Sequence, residues 1–175
     1  MEQLTGIDAT FLNMETPTQQ GHVGGVVVVD PSTAAPGWGF DAIRQLIEER
    51  LHLLPPFRRR LVSVPLELDH PYWLEDPDFD LDFHLRHIAV PAPGGSTELA
   101  TLVARIHERP LDRSRPLWEM YVIEGLEEGR VATYTKLHHA AIDGVSGAEI
   151  LTILLDPDPG GRDIPAPVGD WEGKA

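Results

Sequence analysis

Cysteine is absent from the 175 residues. That excludes disulfides, a thiolate nucleophile and any cysteine-ligated metal centre, and it fits a cytoplasmic setting. Positive charge is scarce: 14 Lys and Arg stand against 28 Asp and Glu, for a formal net charge of −14. A nucleic-acid binder gains affinity by displacing counterions from phosphates with clustered cations. The one dense basic run here is Arg58-Arg59-Arg60, so no nucleic-acid partner is expected. The same balance argues against broad electrostatic adhesion to anionic lipid. Long apolar runs are missing too. Val26 to Val29 falls far short of the ~20 residues of a membrane span. The N-terminal Met1-Glu2-Gln3-Leu4 has neither the basic nor the apolar segment of a secretory signal.

What is present suits a folded domain: 42 % of the residues are hydrophobic, enough to build a core at this length. His22 to Val29, ending in four valines between Gly21 and Pro31, reads as a buried strand. Phe40, Ile43, Leu46, Ile47, Leu51 and Leu54 follow helical spacing until Pro55-Pro56, where the ring and the missing N–H stop a helix. Arg58 to Val64 and Leu66 to Leu74 read as short strands or a hairpin. Asp76 to Asp82 alternates acids but lacks the Gly and Glu of a calcium loop, so it reads as a solvated acidic loop.

Ser96 reads as the N-cap of a second helix with the stripe Leu99, Leu102, Val103, Ile106, closed by Arg109-Pro110. Leu117 to Glu124 and Arg130 to His139 are strand-like and joined by the five residues Gly125 to Gly129, a hairpin pattern. Glu149 to Leu155 belongs to a further helix starting near Gly144. The elements show no regular βαβ rhythm, so an α/β fold with a mixed sheet flanked by helices is expected. Residues 1–155 read as the domain. Residues 156–175, rich in Pro, Gly and Asp, read as a linker.

The chemistry concentrates in Lys136-Leu137-His138-His139-Ala140-Ala141-Ile142-Asp143-Gly144. Strand side chains alternate faces, so Val131, Thr133, Thr135, Leu137 and His139 share one face and Ala132, Tyr134, Lys136 and His138 the other. Two histidines on opposite faces do not grip one zinc without a bend and a third ligand, and no metal is expected. A histidine at a strand terminus, beside a glycine turn, can open onto a cleft, and its pKa near neutrality suits proton abstraction from a hydroxyl. The plainer reading stands beside it: one histidine is a satisfied core residue and Asp143 caps the next helix. Gly144-Val145-Ser146-Gly147-Ala148 misses the last glycine of a serine-nucleophile elbow, and there is neither a P-loop nor a G-x-G-x-x-G.

His138-His139-Ala140-Ala141-Ile142-Asp143-Gly144 matches the HHxxxDG pattern of CoA-dependent acyltransferases, which nonribosomal condensation domains and polyketide-associated acyltransferases share. Ile7-Asp8-Ala9-Thr10-Phe11-Leu12, Glu15-Thr16-Pro17-Thr18 and His22-Val23-Gly24 resemble the start of the wax ester synthase/diacylglycerol acyltransferase family. Leu111-Asp112-Arg113 with Pro116-Leu117-Trp118, Pro56-Phe57-Arg58, and Phe79-Asp80 through His84 fit the same family. The likeness covers about residues 4 to 155.

That resemblance implies one half of a chloramphenicol acetyltransferase-like, CoA-dependent acyltransferase fold, with the active site in a channel between two similar halves. The other half lies outside this chain and would be its partner. It implies an O-acyltransferase of lipid metabolism that esterifies diacylglycerol or a long-chain fatty alcohol with acyl-CoA, giving triacylglycerol or wax ester. His139 would be the general base, His138 its support, Asp143 the holder of the loop, and Gly144 the site of close approach. Pro116, Leu117 and Trp118 are candidate substrate contacts, with core packing the competing role for Trp118. Arg58 to Arg60 would meet CoA phosphates or form a solvated strand end. No resident cofactor is implied; acyl-CoA is a co-substrate. The chain would work in the cytoplasm, peripheral to the inner membrane or lipid droplets. Two alternatives remain: condensation chemistry on the same motif, and a half-domain inactive without its partner.

Overall fold

The computed structural model describes residues 1–34, 36–142, 147–158 and 160–167. In chain order its elements are β1 (Glu2–Gln3), α1 (Gly6–Asn13), β2 (His22–Val29), α2 (Phe40–Arg50), β3 (Arg59–Val62), β4 (Tyr72–Glu75), α3 (Leu81–His84), β5 (Leu85–Ala89), α4 (Ser96–His107), β6 (Trp118–Glu124), β7 (Val131–His138) and α5 (Gly147–Leu154). Four strands form the main sheet in the order β2-β7-β6-β5, and β1-β4-β3 form a small second sheet. β2 and β6 run antiparallel to β7, while β5 runs parallel to β6. The main sheet is therefore mixed, as the irregular rhythm of elements suggests.

Local chemistry accounts for most boundaries. Thr5 caps α1 by accepting from the Asp8 N–H. α2 tightens into a 3₁₀ turn, Leu51–Leu53, before Pro55. α4 starts at Ser96, with Gly95 rather than Ser96 in the capping position. The Glu98 carboxylate satisfies the Gly95 N–H at 2.9 Å. β6 and β7 form the expected hairpin across residues 125–130. The β3–β4 hairpin is shorter than its sequence pattern, with four residues on each side. In the acidic loop Asp80 caps α3, and Asp82 pairs with Arg44.

The valine run forms a strand but lies at the sheet edge. Val26, Val27 and Val28 are 43, 39 and 46 % exposed. β-branched residues favour pleated backbone whichever face is covered, so a run of them announces a strand without announcing a centre.

Helices cover both faces of the main sheet. On one side α2 and α5 bring Ile47, Ile150 and Leu154 onto Trp118, Met120, Val122 and Leu137. On the other, Leu99, Leu102, Val103 and Ile106 of α4 meet Tyr121, Ile123, Ala132 and Tyr134. A third cluster packs Ala9 and Leu12 of α1 against Leu111, Leu117, Ala140 and Ala141, which clamps α1 against the turn after β7. Each fully buried leucine there contributes about 1.5–3 kcal/mol. No described helix is long and apolar enough to cross a membrane.

Candidate active site

β7 ends at His138, and residues His139–Ala141 turn immediately into a 3₁₀ helix. The backbone N–H of His139 donates to the Gly21 carbonyl at 2.8 Å, just ahead of β2. The two histidines separate here as strand alternation requires. The His138 side chain is buried, with 1 % exposure, whereas His139 is exposed. The His139 ring stacks on Phe11 of α1, with centroids 3.9 Å apart and planes 21° apart.

His138 is a fixed support. The Ala140 N–H donates to its Nδ1 at 3.0 Å. Nε2 therefore carries the proton and donates to Glu15 Oε1 at 3.0 Å. Burial pushes the His138 pKa down; Glu15 pulls it up, and Arg113 and His139 push it further down. The net depression keeps the ring neutral at pH 7. Glu15 Oε1 also accepts the Gly21 N–H at 2.7 Å, and Oε2 accepts Arg113 Nη2 at 2.6 Å. Burial raises the Glu15 pKa, but the bonds from Gly21 and Arg113, with the Arg113 charge beside it, outweigh that, so the carboxylate stays ionised. Arg113 is itself anchored on the Leu12 carbonyl at 2.7 Å. A Cβ on Gly21 would sit 3.0 Å from His138 Nε2, so only glycine gives this ring its place without adjustment.

A second buried polar layer lies behind. His22 pairs with His138 across the β2–β7 ladder, and its Nε2 accepts the Leu111 N–H at 3.4 Å. Burial first, then the Lys136 charge, lower its pKa from 6.5 to about 4. The Lys136 side chain is wholly buried. Its ammonium donates to the carbonyls of Ile106 and Arg109 at 3.0 and 2.9 Å and lies 3.3 Å from Glu119. It thereby holds the segment leading from α4 to Leu111 and Arg113.

The cleft beside His139 is open and measures about 230 Å³. Phe11, Met14, Glu15, Gln19, Gln20 and Gly21 line it. That volume is below the ~300–1,000 Å³ of a complete small-molecule pocket, so the arrangement has the dimensions of one wall. An exposed imidazole, held by its backbone and by a ring stack over such a wall, can accept a proton from a docked hydroxyl.

Other candidate residues are placed differently. Asp143 and Gly144 lie outside the described residues. Pro116, Leu117 and Trp118 are interior and do not line the His139 cleft. Trp118 is sandwiched between Phe57 and His84 at 4.4 and 4.7 Å, and its Nε1–H donates to the Phe57 carbonyl at 2.8 Å. Leu117 packs under Ala140 and Ala141. Leu117 and Trp118 are thus held by packing within this chain. Arg58, Arg59 and Arg60 are paired with Glu75, Glu2 and Asp76. Among the described residues no group of three His, Asp or Glu side chains gathers as a metal site. Phe11, His22 and Arg113 take part in the site although sequence reasoning gave none of them a part in the chemistry, and Glu15, whose segment Glu15–Thr18 reads from sequence as either lining the site or forming a structural turn, bonds His138, Gly21 and Arg113. Their signal was membership of the segments Ile7–Leu12, Glu15–Thr18, His22–Gly24 and Leu111–Arg113.

Comparison with known proteins bears on the family and the fold of the chain. The sequence model of the wax ester synthase/diacylglycerol acyltransferase catalytic domain matches residues 4–174. A protein of Mycobacterium tuberculosis strain H37Rv that carries the name diacylglycerol O-acyltransferase is 46 % identical over 172 residues, covering 98 % of this chain and 36 % of its own length. The wax ester synthase/diacylglycerol acyltransferase of Marinobacter aquaeolei VT8 superposes with a TM-score of 0.75 at 36 % identity, covering 94 % of this chain and 41 % of that one. The first condensation domain of the calcium-dependent antibiotic synthetase shares the fold, with a TM-score of 0.67 at 20 % identity over 95 % of this chain and 40 % of its own. The chain thus spans about a third of the length of the first curated relatives it matches.

Proposed function

The chain belongs to the wax ester synthase/diacylglycerol acyltransferase family, and from that premise we propose that it serves acyl-CoA-dependent O-acyl transfer with His139 as the general base. The imidazole takes the proton of the acceptor hydroxyl as its oxygen attacks the thioester carbonyl of acyl-CoA. The carbon–sulfur bond then breaks, and the imidazolium returns the proton to the CoA thiolate. No acyl-enzyme forms, in keeping with a chain that has no cysteine. The acceptor is diacylglycerol or a long-chain alcohol, and the product triacylglycerol or wax ester. The reaction needs acyl-CoA as co-substrate and no resident cofactor.

One observation carries this reading: of two adjacent histidines, the second is exposed on a cleft while the first is buried, neutral and bonded to a carboxylate. The second wall of the channel is assigned to a C-terminal half of the enzyme, a need supported by the small open cleft and by the chain's share of its relatives' length. A lipid acceptor places the protein in the cytoplasm, peripheral to the inner membrane or to lipid droplets.

The test uses radiolabelled acyl-CoA with hexadecanol or diacylglycerol, and the chain alone or with the C-terminal half added. Transfer is expected with the two halves together. His139→Ala should then lower it by about 10²- to 10⁴-fold. Transfer that survives His139→Ala unchanged removes the general base and the mechanism with it.

A further inference from the structure

We propose that Lys136 is a positioning residue for acyl transfer: its buried ammonium fixes the chain between α4 and Arg113, and that segment holds the turn that presents His139. The inference rests on the acyl-transfer reading above and adds a residue that acts only through others.

Lys136 stands two residues before His138 on β7 and shares its face, roughly 7 Å away along the strand. Desolvating an ammonium is costly, and a buried ion pair recovers little of that cost. Burial accordingly holds the Lys136 pKa below the usual lysine value, against the pull of Glu119. What the ammonium has in return is a full set of acceptors for its three N–H donors. Two reach the carbonyls of Ile106 and Arg109 at 3.0 and 2.9 Å. The third faces Glu119, its cross-strand neighbour on β6, at 3.3 Å. Ile106 lies in the last turn of α4, and Arg109 follows just beyond it. Carbonyls there lack intrahelical donors, and a cation complements the helix dipole. The lysine therefore fastens the point at which the chain leaves α4.

The residues after Arg109 reach the turn that carries His139 by two routes. Leu111 is buried in one cluster with Ala140 and Ala141, and its N–H donates to His22 Nε2 at 3.4 Å. Arg113 donates to the Leu12 carbonyl at 2.7 Å and to Glu15 Oε2 at 2.6 Å. Glu15 Oε1 holds the His138 ring, whose Nδ1 receives the Ala140 N–H. Residues 109–113 belong to no helix or strand, and Pro110 brings no N–H. Such a segment keeps its course through its anchors, and Lys136 is the anchor at its start.

The test combines Lys136→Met with Glu119→Gln, so that no lone charge is left in the sheet. Lys136→Gln, which keeps one donor group, is the second variant. Leu99→Ala is the control: it thins the packing of α4 on the same sheet face and leaves the Ile106 and Arg109 carbonyls their donor. Ring ¹⁵N shifts of His138 are read in the 175-residue chain without turnover. Both Lys136 variants should replace its single Nε2–H tautomer by a mixture, and Leu99→Ala should not. In the two-half enzyme with acyl-CoA and hexadecanol, the Lys136 variants should lose roughly ten- to a hundredfold in kcat, the scale of a group displaced by about 1 Å, with KM little changed. Leu99→Ala should lower the denaturation midpoint and keep the native kcat. An unmoved His138 spectrum or an unmoved kcat in a folded Lys136 variant overturns the assignment, and so does an equal loss of kcat in Leu99→Ala. If neither Lys136 variant folds, the lysine is a determinant of the fold alone and the assignment fails. The base is judged separately. Transfer that survives His139→Ala removes the catalytic reading, while the His138 spectrum still decides whether Lys136 sets that ring.

Discussion

Glu15 ties together groups that are far apart in the chain: the N–H of Gly21, the guanidinium of Arg113 and the imidazole of His138. Its two oxygens accept from all three, so the arrangement needs an acceptor on both. Glutamine has the same shape but one acceptor oxygen and one NH₂. In Glu15→Gln either Arg113 or the Gly21–His138 pair faces a donor with a donor. Losing hydrogen bonds to a charged group costs about 1.5–3 kcal/mol. The expected outcome in denaturation is a stability loss of that order. His138 should also lose its single tautomer, read from its ring ¹⁵N shifts, and kcat should fall more than KM. An unchanged His138 spectrum would sink this role. The HHxxxDG segment was legible because its residues are neighbours in sequence. The Glu15–Arg113–His138 network was not, because no periodicity links residues about a hundred positions apart; only the fold brings α1, the loop before β6 and the end of β7 together.

The elements were more legible than their surroundings. α4 followed its apolar spacing, and the β6–β7 hairpin followed its five-residue glycine connection, because backbone geometry dictates both. The exposure of β2 was hidden, since strand order is a property of the whole sheet. Core packing of Trp118 was legible, but its particular neighbours Phe57 and His84 were hidden, because they arrive from distant segments. Another long-range contact holds α5, the helix that follows the turn after β7. The buried Arg50, at the end of α2, donates to the carbonyls of Ile153 and Leu154 at 3.1 and 2.9 Å and pairs with Asp156. Those carbonyls belong to the last turn of α5, where no intrahelical donor reaches, and a cation there also complements the helix dipole. Arg50→Met keeps apolar bulk but leaves the carbonyls and Asp156 without this partner. A loss of about 2–4 kcal/mol is expected in chemical denaturation, with hydrogen exchange rising first in α5. Equal acceleration in α4 would argue against a local clamp.

Across the whole molecule, acid should act through histidines that the fold keeps neutral. His22, His84 and His138 are all shifted down, with burial the first cause in each, and His22 falls from 6.5 to about 4. Between those values the unfolded chain holds a proton on residue 22 that the folded chain does not. Stability changes with pH in the direction of the state binding more protons, so it must fall as pH drops through this window. Glu15 and Asp112, whose pKa values are also lowered, add their losses only at lower pH, as the folded carboxylates take up protons. An opposing effect comes from the net charge of −14: protonating carboxylates relieves self-repulsion and favours the compact state. Salt separates the two, because ~1 M salt shortens the screening length to ~3 Å and suppresses repulsion between surface charges while leaving buried desolvation in place. Denaturant midpoints in high salt should therefore decline steadily from about pH 6.5 to 4, and His22→Gln should flatten that slope while lowering stability at neutral pH. A high-salt profile that is level or rises toward acid would mean that the histidine layer behind His139 is hydrated, and that the fold does not hold it neutral.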